Sequence, residues 1–334
     1  MTRGVGDDVR FECILGRCDT MRGEVYVRVC LPPGAAGGSL QGTLTGPECS
    51  RASTLPVTAR LRPLPGPSPE AGAAATVVTR VILTEPACWT PELPNRYLLE
   101  ATLSIAGQTT STCRQMIGLR QLGVRGRSLW LDGRRFVPRG LARPGCPVDR
   151  EGFRAADLTA VVSTPDEAFL DHCDAEGLAV IALLASASGQ PPAAEEAGQQ
   201  IALWAGHPSV LVAVIPAGLH TNQVAAVAAN TRATRGTLLV AAAVDGSLPP
   251  EPLPAGIDAV VLNLPAAGLP HAAWRTTTPP LPVIACRSQP ASDDEPTRRP
   301  CDNLQAALAA WATAEGHRLE WDWAGYLVVP SGLD

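Results

Sequence analysis

The stretch Gly206-His207-Pro208-Ser209-Val210-Leu211-Val212-Ala213-Val214-Ile215-Pro216-Ala217-Gly218 decides the fold. A short apolar run, rich in β-branched residues, is entered through His-Pro-Ser and left through Pro and Gly. That pattern predicts a strand buried on both faces, as in a parallel barrel. Barrel enzymes keep their chemistry at the C-terminal ends of such strands. Here that end is Pro216-Ala217-Gly218, which offers no acid, base or nucleophile.

Downstream of residue 148, helical and extended patterns alternate, which indicates a parallel α/β architecture. Strands are predicted over 157–163, 178–184, 237–244, 257–264, 281–287 and 319–329, the last with Trp321, Asp322 and Trp323 near one end. Helices are predicted over 165–177, 195–206, 221–236 and 303–316. The first of these has Pro in its opening turn and Gly at its close. Upstream, residues 9–120 read differently. Short apolar runs at 25–31, 55–61, 76–83 and 97–105 are separated by Gly- and Pro-rich breaks, which predicts an antiparallel β-sandwich, with 63–75 as a long loop.

A chain of 334 residues is long enough for two domains with cores of their own. All 27 basic residues are Arg. The lack of Lys fits a GC-rich bacterial genome and removes Schiff-base and pyridoxal-phosphate chemistry. A net charge of -5, with no Arg-rich run interleaved with aromatics, excludes a nucleic-acid footprint. The adjacent pairs Arg134-Arg135 and Arg298-Arg299 read as solvated loop positions. The first eight residues hold no signal-peptide core, and no apolar run reaches membrane-spanning length, so the expectation is a cytoplasmic protein with no membrane partner. The 10 cysteines are then expected to be reduced and mostly buried. None forms a Cys-x-x-Cys pair, so neither a metal nor a cofactor is expected.

Several motifs bear on identity. Trp89-Thr90-Pro91-Glu92-Leu93-Pro94-Asn95-Arg96-Tyr97, whose Trp89 is expected to pack into the sandwich while its prolines turn the chain into the last strands, is followed by Ile117-Gly118-Leu119-Arg120. The run from Leu129 to Gly140 has a strong two-residue turn signal at Asp132-Gly133. With His207-Pro208-Ser209, these stretches resemble glycoside hydrolase family 2, the β-galactosidase, β-glucuronidase and β-mannosidase group. The resemblance implies an N-terminal immunoglobulin-like β-sandwich over residues 1–118 and a TIM-like (β/α)8 barrel over 119–334. The barrel is expected to be trimmed, because the segment between its first two strands is too short for a full helix.

The same resemblance places the family's acid/base Glu at Gly218 and its nucleophile Glu at Arg287. The family's polar site positions on the first three strands are lost here, the second by shortening to Ser163-Thr164-Pro165, and Asn263 stands where the family often has Asn. Glycoside hydrolysis needs two carboxylates across the scissile bond. Glycine has no proton to give, and a guanidinium is neither base nor nucleophile near neutral pH. The implied protein is a catalytically inactive relative that binds a glycan or a protein partner, with Arg287, Trp321, Asp322, Trp323, Asn263 and His220 as candidate ligand residues.

The alternative is a hydrolase with relocated carboxylates drawn from Asp245, Asp322 and the run Asp293-Asp294-Glu295. Against it, Asp245-Gly246 reads as a turn, the acidic run as a solvated loop, and Trp321 and Trp323 as core residues sharing one strand face. A Cys286–His220 pair is a further, minor alternative. His172, Cys173 and Asp174 diverge as helix neighbours and do not converge on one ion. The sequence leaves the oligomeric state open.

Overall fold

Alternation builds the first half of the molecule. Along Arg22–Cys30 the residues Val25, Val27 and Val29 are buried, and along Arg96–Ile105 so are Tyr97, Leu99, Ala101 and Leu103. Each strand therefore presents one apolar face, and two sheets close on each other to bury it. The computed structural model describes residues 9–31, 37–64, 75–142, 149–185, 192–290 and 295–330, except for the side chain of residue 315. The strands are β1 (Phe11–Cys18), β2 (Arg22–Cys30), β3 (Gly38–Glu48), β4 (Val57–Arg60), β5 (Arg62–Pro63), β6 (Thr76–Thr84), β7 (Arg96–Ile105) and β8 (Gln108–Ile117). They form two antiparallel four-stranded sheets in the orders β1-β2-β6-β5 and β4-β3-β7-β8. Most of the loop predicted over 63–75 lies outside the described residues.

A small antiparallel sheet follows, with β9 (Leu122–Arg125), β10 (Ser128–Leu131) and β11 (Arg134–Phe136) in the order β11-β10-β9. Asp132 and Gly133 join β10 to β11 with φ of 50° and 73°, the doubly left-handed geometry of the predicted hairpin turn.

Eight parallel strands then close a barrel in sequence order: β12 (Arg139–Leu141), β13 (Thr159–Ser163), β14 (Val180–Leu183), β15 (Val210–Ile215), β16 (Leu239–Asp245), β17 (Ala259–Leu264), β18 (Val283–Gln289) and β19 (Gly325–Pro330). All six residues of β15 are buried, as its composition requires. The trimming falls on the helices. The connections carry α1 (Arg150–Ala155), α2 (Glu167–Glu176), α3 (Ala194–Ala205), α4 (Thr221–Thr231), α5 (Ala273–Thr276) and α6 (Arg299–Thr313). Two of these span little more than a turn, and among the described residues no helix separates β16 from β17. No described helix is long and apolar enough to cross a membrane.

Two readings of the sequence need correction. The closing strand begins at Gly325, so Trp321, Asp322 and Trp323 precede it. Their apolar-polar-apolar alternation imitates a strand, but both indoles turn into the core between strands and helices. Trp89 does not pack into the sandwich. It joins Leu129 and Leu131 in the cluster that fills the barrel interior.

The linker between the two halves is tightly fitted. A Cβ added at Gly118 would lie 2.4 Å from Cγ of Pro208, inside van der Waals contact. Gly118→Ala is therefore expected to cost about 1–3 kcal/mol. Chemical denaturation measures this, and an unchanged midpoint would show that the packing yields.

Candidate functional site

The N-terminal end of β15 is held by buried polar groups. Its leading residue His207 donates from Nδ1 to Oδ2 of Asp174 on α2 at 2.8 Å, and the Ser209 amide donates to Oδ1 of the same carboxylate at 3.0 Å. Arg120, fully buried, donates from one terminal nitrogen to the carbonyls of His207 at 2.6 Å and Val210 at 2.5 Å, and from Nε to Oγ1 of Thr237 at 3.0 Å. Burial lowers the Arg120 pKa to about 10, against the pull of the nearby Asp174 carboxylate, so the side chain remains a cation at neutral pH.

From the sandwich side, the Trp89 indole donates to the Asp174 carbonyl at 2.9 Å, and the Arg51 guanidinium donates to the carbonyls of Pro91, Glu92 and Glu176. Carbonyls in the last turn of α2, which have no partner within the helix, are thus satisfied by another domain, with a cation at the negative end of the dipole. Asp171, Asp174 and His207 bring potential ligand atoms within 4.8 Å of one another. However, both Asp174 oxygens and the His207 Nδ1 are already committed to hydrogen bonds, so the cluster works as an anchor. Composition and spacing missed Asp174 and Arg120. The available signal was an acid on the apolar face of a helix, beside Leu170 and Cys173.

The opposite end of the barrel is the mouth, where the strands finish. On β16, Leu239 and Ala241 face the barrel interior, on β17 Ala259 and Val261, and on β18 Ile284 and Cys286. Period-two alternation extends this interior face to Asp245 and Asn263. The register pairs Asp245 with Asn263 and Asn263 with Cys286, so a carboxylate, an amide and a thiol stand side by side on adjacent strands. Asp245 is exposed, Asn263 half-buried and Cys286 buried. Oδ1 of Asp245 accepts from the Ser247 amide at 2.8 Å and its hydroxyl at 2.7 Å, which confirms the expected turn. Beside this rim lies a cavity of about 250 Å³ walled by Gly218, Leu219, Asp245, Glu251 and Trp274.

Gly218 sits beyond the end of β15 at φ +92°, and nothing lies within 4 Å of where a Cβ would stand. Arg287 shares its strand phase with Val283 and Ala285, which pack toward the helices. Its guanidinium donates to the Gly268 carbonyl at 2.9 Å in the loop after β17, and its Nε has no partner among the described residues. The residues of β18 that face the interior are its neighbours, Cys286 among them.

The Trp-Asp-Trp run is at the other end of the barrel, since it leads into β19. Trp321 donates to the Thr277 carbonyl at 3.1 Å, and its ring meets Trp323 edge-on at a centroid distance of 4.8 Å. Asp322 lies 3.5 Å from Arg135. These three residues share no surface with Asp245 or Asn263, which removes them from a common mouth site. His220 flanks α4, where its amide donates to the Gln223 side chain at 2.9 Å. Asp293 and Asp294 lie outside the described residues, and Glu295 is exposed.

No family's sequence model and no curated protein matches the chain. Solved structures do. A glycosyl hydrolase family 2 member from Bacteroides cellulosilyticus aligns with a TM-score of 0.65 at 14% identity, over 98% of this chain and 46% of its own. The β-glucuronidase of Parabacteroides merdae gives 0.62 at 13%, over 97% and 47%. A putative β-galactosidase from Bacteroides fragilis gives 0.58 at 14%, over 84% and 47%. The chain spans about half the length of these proteins. Likeness at such identities establishes the fold, a sandwich and barrel of the family 2 glycoside hydrolase kind, and leaves the activity open.

Removing one partner of a buried charged network is strongly destabilising. Asp174→Ala should cost about 3–5 kcal/mol, while Asp171→Ala, whose side chain is 67% exposed, should cost no more than about 1 kcal/mol. Urea denaturation of the two variants checks this contrast, and equal losses would contradict it.

Proposed function

We propose that this chain is a non-hydrolytic module of family 2 glycoside hydrolase type that binds a glycan at the barrel mouth. One observation carries the reading. Of the two positions assigned to the catalytic carboxylates by resemblance, Gly218 has no side chain, and the Arg287 cation is directed to the Gly268 carbonyl. A retaining mechanism needs carboxyl groups about 5–5.5 Å apart, and an inverting one about 6.5–9.5 Å. The choice of a glycan is supported by the rim itself. A carboxylate and an amide on adjacent strands, Asp245 and Asn263, offer acceptors and donors suited to vicinal hydroxyls. An anionic ligand held by Arg287 is disfavoured by the outward phase of that side chain.

A second reading, hydrolysis through a relocated acid, rests among the described candidates on Asp245, because Asp322 occupies the far end of the barrel and Asp293 lies outside the described residues. The test pairs turnover with binding. Aryl β-glucuronides, β-galactosides and β-mannosides should be hydrolysed no faster than in buffer. Calorimetry against neutral and uronic oligosaccharides should find a ligand whose affinity drops about tenfold in Asp245→Ala and in Asn263→Ala, the loss of one hydrogen bond to a charged or polar group. Hydrolysis that disappears in Asp245→Ala would establish the second reading instead, and no binding to any glycan would overturn the choice of ligand.

A further inference from the structure

Cysteine usage departs from the sequence expectation of mostly buried thiols. Of the described cysteines, Cys113, Cys173, Cys286 and Cys301 are buried, Cys30 is exposed, and Cys13, Cys18, Cys49 and Cys88 are half-buried. Two of the half-buried ones touch. Cys18 ends β1, Cys88 directly precedes Trp89, and their sulfurs are 3.3 Å apart. The backbones on both sides are pinned. Around Cys88, the Ala87 amide donates to the Tyr97 hydroxyl at 2.8 Å, the Asn95 side chain donates to the Cys88 carbonyl at 2.9 Å, and the Trp89 amide donates to the Leu119 carbonyl at 2.5 Å. After Cys18, the Asp19 carboxylate accepts from the amides of Met21 and Arg22, both at 2.9 Å. The contact is therefore imposed by the fold, between residues 70 positions apart in the chain.

We propose that Cys18 and Cys88 are a redox-modification site that closes to a disulfide on exposure to a hydroperoxide. A disulfide has its sulfurs about 2.05 Å apart, so side-chain rotation need bring them only roughly 1.2 Å closer. Either thiol of the contact can donate to the other sulfur; with Cys18 as the donor, its hydrogen bond stabilises the Cys88 thiolate, which is then the nucleophile. The Cys88 thiolate attacks the peroxide, the O–O bond breaks, and Cys88 sulfenic acid forms as the departing oxygen leaves as alcohol or water. Cys18 then attacks the sulfenic sulfur. The S–S bond forms, the S–O bond breaks, and water leaves with the Cys18 proton. Two thiols lose two electrons together, and one hydroperoxide is reduced. The product staples the end of β1 to the segment carrying Trp89, and so to the sandwich–barrel junction.

The experiment treats the purified full chain with hydrogen peroxide, alkylates the remaining thiols and maps the peptides. The expected product has lost the mass of two hydrogens, joins the Cys18 and Cys88 peptides, reverts with dithiothreitol and unfolds at a higher temperature than the reduced protein. Cys18→Ser and Cys88→Ser should abolish the cross-link and the thermal shift, whereas Cys30→Ser should keep both. Mapping of the wild-type chain decides by itself even where a variant folds poorly. Recovery of Cys18 and Cys88 as separately alkylated thiols, or of Cys88 as a sulfinic acid without a cross-link, overturns the proposal.

Discussion

The molecule is organised around the C-terminal turn of one short helix. α2 ends with backbone carbonyls that it cannot pair internally, and with a buried carboxylate that would be prohibitively costly if left alone. The sandwich supplies the Trp89 indole and the Arg51 guanidinium to the carbonyls. The barrel strand supplies His207 and the Ser209 amide to Asp174. The linker supplies Arg120, whose donors fasten the carbonyls of His207 and Val210 and whose charge faces Asp174. Asp174, His207, Ser209, Arg120 and Trp89 are each buried on condition that the others are present, while the exposed Arg51 covers the helix end from outside. Four segments far apart in sequence thus become a single structural unit, and the sandwich is fixed to the barrel at the entrance to β15.

That arrangement separates scaffold from chemistry along the barrel axis. The anchor occupies the end where strands begin, the face on which barrels place residues for stability, whereas any reaction would belong at the end where strands finish. The motifs that resemble family 2 glycoside hydrolases cluster at the first end: the Trp89 to Tyr97 run, the Gly118-Leu119-Arg120 linker and His207-Pro208-Ser209. Their physical roles are capping, close packing and buried hydrogen bonding, and all of these operate without substrate. The mouth is a different surface, with Asp245, Asn263 and Cys286 in one register and a turn glycine at 218. A fold can therefore persist while the side chains of Asp245 and Asn263 change, because the strand ladder there runs through their backbones.

What could be read from sequence follows from the same physics. β15 was legible because a strand buried on both faces must be apolar throughout, and the Asp132-Gly133 turn because few residue pairs tolerate two left-handed conformations. The Trp321 to Trp323 run misled because alternation marks any segment with one buried side, strand or not. Arg287 was assigned to the mouth by counting along a strand, yet a single step in β-structure reverses the direction of a side chain, and only the packing of Val283 and Ala285 against helices fixes the phase. Asp174 was illegible because its role depends on His207, 33 residues away, and on an indole from another domain.

At the strand position that the resemblance assigns to the nucleophile of a retaining glycosidase the chain carries Arg287, and the proposed lack of hydrolysis rests on it. The direct measurement is intact-protein mass spectrometry after incubation with a covalent, mechanism-based inactivator of retaining β-glycosidases, which labels a catalytic carboxylate and nothing else at low excess. The expected result is an unmodified mass at every time point. A single stoichiometric adduct mapped to an Asp or Glu at the barrel mouth would contradict it.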